Sequence, residues 1–456
     1  MKTISQPGLP FAELNSLQDS VQVIASVPDN GSNKLAQNDH AFHDWYRFVL
    51  SFPPHLVRKY IHDFGLSHEH TILDPFCGTG TTVVEAKLNG IKSFGLEANP
   101  VAHFASSVKV DWTIDPNLLA EESVEIANSA LQILRSQGID DSQPFERKPQ
   151  TSTLKTLGAE AHRLLLTNSI SPLPLHKTLV LLECLQRHHN EAYYRHALLA
   201  LANALVYKIS NLRFGPEVGV GSIKGDFPVI AAWLSEIEKI TRDLRQVRGG
   251  SFSEAGVYLA DAREIGQIIP PRSVDGVITS PPYPNEKDYT RTTRLESVIL
   301  GFINTKTDLR ELKKRLVRSN TRGVYKGDND DRWIAEHAKI QQLAHAIEQR
   351  RIELQKDSGF EKLYGTVTKL YFGGMARHLA ELRQVLRPGA QLAYVVGDQA
   401  SYLRVMIRTG NLLAEIAEAL GYEVVRIDLF RTRLATATKE QLREEVVVLR
   451  WKGGGE

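Results

Sequence analysis

The sequence predicts an α/β protein with a mostly parallel sheet interrupted by helical insertions. Three observations predict it. A short apolar run, Thr71 to Leu73, ends in the glycine turn DPFCGTGTT; a helical stretch and a second apolar run follow directly; and apolar runs ending in turns return far downstream at VYLADAREI and SVDGVITSPPYP. Strand, glycine turn, helix and strand together open a parallel α/β sheet.

Composition sets the outer limits. The 456 residues are 42% hydrophobic and 24% charged, which is ordinary globular usage. Lys plus Arg number 55 against 53 Asp plus Glu, a formal charge of +2, so a uniformly basic nucleic-acid binder is excluded and any such surface is local. Two cysteines argue against a disulfide scaffold or a Cys-built zinc site. The longest apolar stretch, around His196 to Val206, falls short of the ~20 residues of a membrane span. The first residues carry no apolar signal core. The expected setting is soluble and cytoplasmic, with no membrane.

In chain order, residues 1–40 (rich in Ser, Asn, Asp, Gln and Pro) read as an irregular arm. Phe42 to Tyr60 is aromatic and apolar, with Pro53-Pro54 opening a helix. After the strand at Thr71 to Leu73, a helix is expected from Thr82 to Leu88 with Gly90 as its stop. A second strand runs from Ser93 to Leu96 and ends at Glu97. Residues 41–112 form the first half of the sheet domain.

Residues 113–250 change character. Apolar residues recur at helical spacing in LLAEESVEIANSALQIL, LHKTLVLLECLQ, HALLALANALVYKI and VIAAWLSEIEKITRDL. This is a helical insertion, broken by a loop from Asn211 to Asp226 that carries Arg213 and Lys224. It either reads sequence in a groove or buttresses the sheet, and packing is the favoured role. The sheet text resumes over 251–284 and 366–456, separated by a basic, helix-rich insertion at 285–365. The close is a helix (Tyr371 to Leu386), a turn at Arg387-Pro388-Gly389, the strand QLAYVVGD, a helix (Leu412 to Leu420) and two strands, YEVVRIDLF and EEVVVLRW.

The glycine turn places Asp74 at a strand end and Gly78 and Gly80 where positive φ and close ligand approach are needed. A third fingerprint glycine is absent, since residue 83 is Val, and no phosphate-loop Lys-Ser/Thr pair follows. A nicotinamide or nucleoside-triphosphate site is therefore disfavoured. Glu97, about twenty residues on, can hold both ribose hydroxyls of an adenosine-containing cofactor. Asp261, ending another strand, can accept from an adenine amino group.

Thr279-Ser280-Pro281-Pro282-Tyr283 follows the strand VDGVI. Two prolines deny donors and fix the backbone, so carbonyl oxygens leave the turn in a set direction. The lone pair of an exocyclic base amine is delocalised into the ring. A serine hydroxyl and a proline carbonyl accepting its two N–H groups pull that nitrogen towards a tetrahedral shape. Tyr283 offers a ring on which an extruded base can stack.

With these motifs the chain resembles the S-adenosylmethionine-dependent DNA amino-methyltransferases, in the SPPY branch that methylates N4 of cytosine, over residues 40–112 and 251–452. The resemblance implies a Rossmann-like class I methyltransferase fold with S-adenosylmethionine as cofactor. It implies that the glycine turn, Asp74, Pro75, Phe76, Gly78, Thr79, Gly80, Thr81 and Thr82, wraps the methionine part of the cofactor. Glu97 then binds the ribose, Asp261 and Ala262 face the adenine, and Phe52, beside Pro53, flanks the cofactor. Ser280, Pro281, Pro282 and Tyr283 form the catalytic turn. The cofactor half precedes the catalytic half here, whereas many SPPY enzymes run the other way round. Neither insertion matches a known target-recognition domain.

The implied reaction is direct in-line methyl transfer to N4 of cytosine in double-stranded DNA. Enzymes acting on adenine more often carry Asp or Asn where Ser280 stands, so an N6-adenine enzyme is the alternative. Carbon-5 methylation needs a nucleophilic cysteine beside a proline, and neither Cys77 nor Cys184 is so placed. An RNA amino-methyltransferase is a further alternative; such proteins usually show an Asp-Pro-Pro-Tyr turn and a separate RNA-binding module.

DNA requires local positive charge. Leu309 to Lys326 holds seven basic residues and one acid. Arg291, Arg294, Lys313, Lys314, Arg315 and Arg318 are the expected DNA contacts, on a mobile strap over the duplex spanning residues 286–330. A solvated helix face explains the same charge equally well. No metal is expected, because His68-Glu69-His70 and His188-His189 lack a zinc spacing. The expected partners are double-stranded DNA and a cognate restriction endonuclease, with the chain a monomer or weak dimer.

Overall fold

The computed structural model describes residues 35–36, 39–48, 51–141, 154–215, 217–285, 287–434 and 441–454. The arm expected over residues 1–40 lies almost wholly outside them. A 3-10 turn at His43–Trp45 leads to α1 (Pro54–Asp63), β1 (Thr71–Asp74), α2 (Thr81–Leu88), β2 (Lys92–Glu97) and α3 (Pro100–Lys109). Pro54 occupies the first turn of α1, where a missing N–H removes no helical bond. The first insertion contains α4 (Pro116–Ser136), α5 (Ala159–Leu164), α6 (Pro172–Gln186) and α7 (Tyr194–Ala204), then a hairpin of β3 (Leu212–Phe214) and β4 (Val218–Val220), and α8 (Val229–Val247). The chain continues through β5 (Ala255–Leu259), β6 (Val274–Thr279), α9 (Tyr289–Thr292), α10 (Arg294–Ile299), α11 (Lys306–Arg315), α12 (Ala338–Glu353) and α13 (Tyr364–Leu382). It ends with β7 (Leu386–Gly397), α14 (Thr409–Ala419), β8 (Tyr422–Leu434) and β9 (Gln441–Trp451).

Seven strands form one sheet in the order β5-β2-β1-β6-β7-β9-β8. Pairing is parallel from β5 to β7 and antiparallel on both sides of β9. This is the predicted α/β class. The chain steps outward from β1 to β2 and β5, then crosses to the other side of β1 with β6. Such a reversal opens a crevice at the carboxyl ends of β1 and β6.

Alternation along the strands feeds two layers. Ile72, Ile278, Ala393, Val395, Val446 and Val448 pack with Leu56, Val57 and Tyr60 of α1. Leu73, Val277, Leu392, Tyr394, Val447 and Leu449 pack on the other face with Tyr371, Met375 and Leu379 of α13 and Leu413 of α14. Each fully buried Leu, Ile or Val contributes roughly 1.5–3 kcal/mol relative to exposure. The turn expected at residues 387–389 sits inside β7 as a register break. Val274 pairs with Leu386 and Gly276 with Gln391, so between these pairs one residue of β6 faces four of β7. Gly389, at φ +90°, absorbs the excess.

The first insertion packs as a buttress. Leu119, Leu181, Leu199 and Trp233 share a core with Val83 and Val84 of α2 and Phe104 and Val108 of α3. Its expected loop holds the β3–β4 hairpin, and Lys224 turns inward, donating to the carbonyls of Lys208 and Ser210 at 2.5 and 2.8 Å. A lysine so engaged does not reach out to a groove.

The second insertion is docked as well. Val317, Ile334, Ile340 and Ile347 share the core of α13. The carbonyl of Asp330 presses so closely on α13 that a Cβ at Gly373 would stand 2.0 Å from it. The expected mobile strap is thus corrected to a packed wall. Among the described residues no helix is long and apolar enough to cross a membrane.

Candidate active site

The glycine turn is built by backbone conformation. Gly78 and Gly80 adopt φ +52° and +89°, values that side-chain-bearing residues reach only at a cost. A Cβ on Gly80 would also stand 3.0 Å from that of Ser106 in α3. The Cys77 amide bonds the carbonyl of Leu96 at 2.9 Å, tying the turn to β2. From behind, the fully buried Lys109 amine donates to the carbonyls of Thr79 and His43, both at 3.0 Å. Burial lowers its pKa to about 7.

A cavity of about 330 Å³ opens over this turn. Phe52, Pro75, Phe76, Gly78, Thr79, Thr81, Glu97, Asp261 and Ala262 line it, and so do Ser280, Pro281, Pro282 and Tyr283. Three other expected cofactor residues, Asp74, Gly80 and Thr82, are not in its wall. Asp74 is fully buried under the turn, where it accepts from the Thr279 hydroxyl (2.6 Å) and the Phe76 amide (3.1 Å). Burial raises its pKa to about 6, against the hydrogen bonds that favour the carboxylate. Thr82 donates to the carbonyl of Ile278 at 3.0 Å. Asp74 thus joins the ends of β1 and β6, Thr82 ties α2 to β6, and Gly80 caps the start of α2.

Glu97 accepts from the amides of Gly78 and Asn99, each at 2.7 Å. Burial raises its pKa to about 7. The carboxylate both braces the turn and keeps acceptor capacity towards the cavity. Asp261 is more heavily used. Its oxygens take the Arg263 amide at 2.9 Å and the Arg263 guanidinium at 2.6–3.1 Å. Arg263 in turn pairs with Asp330 at 2.5 Å and bonds the carbonyl of Lys314. Little of the expected capacity for an adenine amine is left on Asp261. A charge so neutralised serves first to pin the second insertion against the sheet.

At the turn from Ser280 to Tyr283, Ser280 Oγ donates to the carbonyl of Val395 in β7 at 3.2 Å. The Tyr283 hydroxyl also lies within hydrogen-bonding reach of Ser280, and a hydroxyl has a second lone pair for an incoming N–H. The Tyr283 ring lies over Gly397, where a Cβ would approach it to 2.9 Å. Burial, with the Glu444 charge nearby, holds its hydroxyl well above the usual tyrosine range.

The six expected DNA contacts divide. Arg318 is 5% exposed and spends its guanidinium on Asp328 and on the carbonyls of Lys313, Lys314 and Leu316. Lys313 pairs with Asp288 at 2.8 Å, and Arg294 bonds Thr290 and the carbonyl of Leu164. These three hold the fold. Lys314 is exposed beside Glu311, and Arg291 sits 4.0 Å from Glu217. Arg315 is exposed at the cavity rim.

Sequence reasoning missed several wall residues: Phe48, Ser51, Asn99, Asn285, Tyr289, Asn320, Gln399, Phe430 and Glu444. Asn99 carried a signal, as an N-cap before Pro100, its side chain accepting from Val101 N. Gln399 and Phe430 stand after or within strands read only as core text, and nothing local distinguishes them.

Known proteins resemble the chain in the same places. A DNA methylase family model, of the N6/N4 methyltransferases, matches residues 24–106, which include the glycine turn and Glu97. The type II methyltransferase M.BsoBI of Geobacillus stearothermophilus is 26% identical over 442 residues, 91% of this chain and 85% of that protein. The type II methyltransferases M.AvaI of Nostoc sp. and Anabaena variabilis are each 24% identical over 445 residues, 89% of this chain and 86% of theirs. With the seven-stranded α/β sheet, these similarities support a DNA amino-methyltransferase.

Proposed function

We propose that the chain transfers a methyl group from S-adenosylmethionine to the N4 amine of cytosine in double-stranded DNA. The observation that carries this reading is the shared cavity: the glycine turn with Glu97 forms one wall, and Ser280 to Tyr283 another. The residues fit the cofactor. Glu97 presents a carboxylate for the ribose hydroxyls, the Phe52 and Phe76 rings offer apolar walls, and a Cβ on Gly78 would meet open space. Bound there, the cofactor supplies an electrophilic methyl group on a sulfonium.

The chain's own work is positioning and hydrogen bonding. Ser280 Oγ, oriented by the Val395 carbonyl, and the Pro281 carbonyl accept the two amine hydrogens and stabilise the positive charge that develops on nitrogen as its bond to the methyl forms and the carbon–sulfur bond breaks. One of the two protons then leaves to water, so the methylated amine is neutral. Tyr283 stacks on the extruded base. Ser280 at the first position of the tetrapeptide favours cytosine over adenine. Arg315, at the cavity mouth, and Arg291 contact phosphates. The type II naming of the relatives supports a cognate restriction endonuclease as the biological partner.

The test is methyl transfer from labelled S-adenosylmethionine to unmethylated duplex DNA and, in parallel, to total tRNA, with the nucleosides separated by mass spectrometry. N4-methylcytosine from DNA alone is expected. N6-methyladenine as the sole DNA product would overturn the choice of base, and a product from tRNA alone would overturn the choice of substrate.

A further inference from the structure

At the carboxyl end of β7 and just past it, two alternate positions meet the catalytic turn and a third shares its cavity. The Val395 carbonyl takes the Ser280 hydroxyl, Gly397 lies under the Tyr283 ring, and Gln399 lines the same cavity. Gln399 is 4% exposed, and its Nε2 has no hydrogen-bond partner among the described residues. Its backbone is clamped to Ile407 by two hydrogen bonds of 3.1 and 2.7 Å, so the side chain projects from a fixed point. A buried amide donor without a partner is costly. At a ligand cavity, the economical explanation is a partner that arrives with the ligand.

The chemistry of that partner follows from the base edge. Once Ser280 and Pro281 hold the amine of a cytosine, the next edge atoms are N3 and O2, both acceptors. Adenine offers a single ring nitrogen there and then a C–H. We propose that Gln399 Nε2 donates to this N3/O2 edge and makes cytosine the preferred base, an inference that rests on the reading given above. Asn320 Oδ1 is another unpartnered buried atom of the cavity wall. It is an acceptor, its Nδ2 being spent on the Lys287 carbonyl at 3.2 Å, and cannot serve an acceptor edge.

Two variants of the full chain test this. Gln399→Met keeps the length and packing but removes the donor, and Gln399→Glu keeps the shape while replacing the donor with an acceptor. Unmethylated bacteriophage DNA is the substrate, with nucleosides resolved by mass spectrometry and S-adenosylmethionine binding measured by calorimetry. Both variants are expected to lose about tenfold to a hundredfold in kcat/KM for DNA, to bind the cofactor within about twofold of the parent, and to raise the ratio of N6-methyladenine to N4-methylcytosine. Parental turnover in Gln399→Met, or a loss of cofactor binding equal to the loss of turnover, overturns the assignment while N4-methylcytosine from the parent leaves the enzyme reading standing. A parent that makes only N6-methyladenine removes both together.

Discussion

Tyr283 and Gly397 occupy each other's space: a Cβ added at Gly397 would stand 2.9 Å from Cε2 of the Tyr283 ring. The strand β7 therefore sets the height of the ring over which a base would stack, and no residue larger than glycine leaves it there. Glu444 Cγ, at 3.4 Å from the same added atom, closes the other side. Gly397→Ala is expected to displace the ring and lower methyl transfer about tenfold or more, because reacting groups tolerate little misplacement. Cofactor binding should stay within about twofold of the parent. Initial rates and calorimetry check this, and an unchanged rate would detach the ring position from catalysis.

Glu97 gives a pH signature. Its pKa stands at about 7 because burial disfavours the carboxylate, whereas ribose hydroxyls need that carboxylate as acceptor. Cofactor affinity is expected to fall as pH drops below about 7, with protons released on binding in that range. The folding linkage has the opposite sign. The folded state holds this proton more tightly than the unfolded chain does, so between pH 7 and the ordinary glutamate range this group's contribution to stability rises as pH falls. Calorimetry in buffers of different ionisation heat separates the two, and Glu97→Gln should abolish the proton release.

Arg263 joins Asp261 and Asp330 in a buried triad, with side chains 6%, 10% and 8% exposed. Removing the cation by Arg263→Met leaves Asp261 without its cation and Asp330 with Arg377 at 3.4 Å, and breaking a buried pair costs about 3–5 kcal/mol. Denaturant unfolding should show this loss. Adding Asp261→Asn to Arg263→Met should recover part of it, since the stranded charge is then gone.

Charge near the cavity mouth divides by pairing. Arg315→Gln is expected to weaken DNA binding uniformly across sequences and to lower the salt slope by about 1, as for one phosphate contact. Arg318→Gln should instead destabilise the segment it anchors through Asp328. Binding titrations at several salt concentrations distinguish them, and an unchanged slope for Arg315→Gln would remove its phosphate contact.

The parts legible in the sequence are those where local pattern and global fold agree. The run into DPFCGTGTT announced β1, the turn and α2, because an apolar strand, positive-φ glycines and a helix start all fall within a dozen residues or so. Ser280 to Tyr283 was legible because two prolines fix the backbone whatever surrounds them. The roles of Asp74, Thr82 and Arg318 were not. Asp74 and Thr82 depend on partners far along the chain, Thr279 and Ile278, Arg318 depends on Asp328 across a turn, and spacing cannot report such pairings. The basic insertion misled for the same reason. Its charges looked free in the sequence, while Lys313 and Arg318 meet Asp288 and Asp328 in the fold. Gln399 was invisible because its significance lies in an Nε2 without a partner among the described residues, a property that only a packed cavity defines.

The decisive measurement is methylation mapping of DNA from cells expressing either the parent chain or Ser280→Ala. N4-methylcytosine in one sequence context is expected with the parent. It should be lost with Ser280→Ala, although the purified variant still binds S-adenosylmethionine. An adenine mark alone, or a cytosine mark undiminished by Ser280→Ala, would contradict the arrangement of cofactor and base described above.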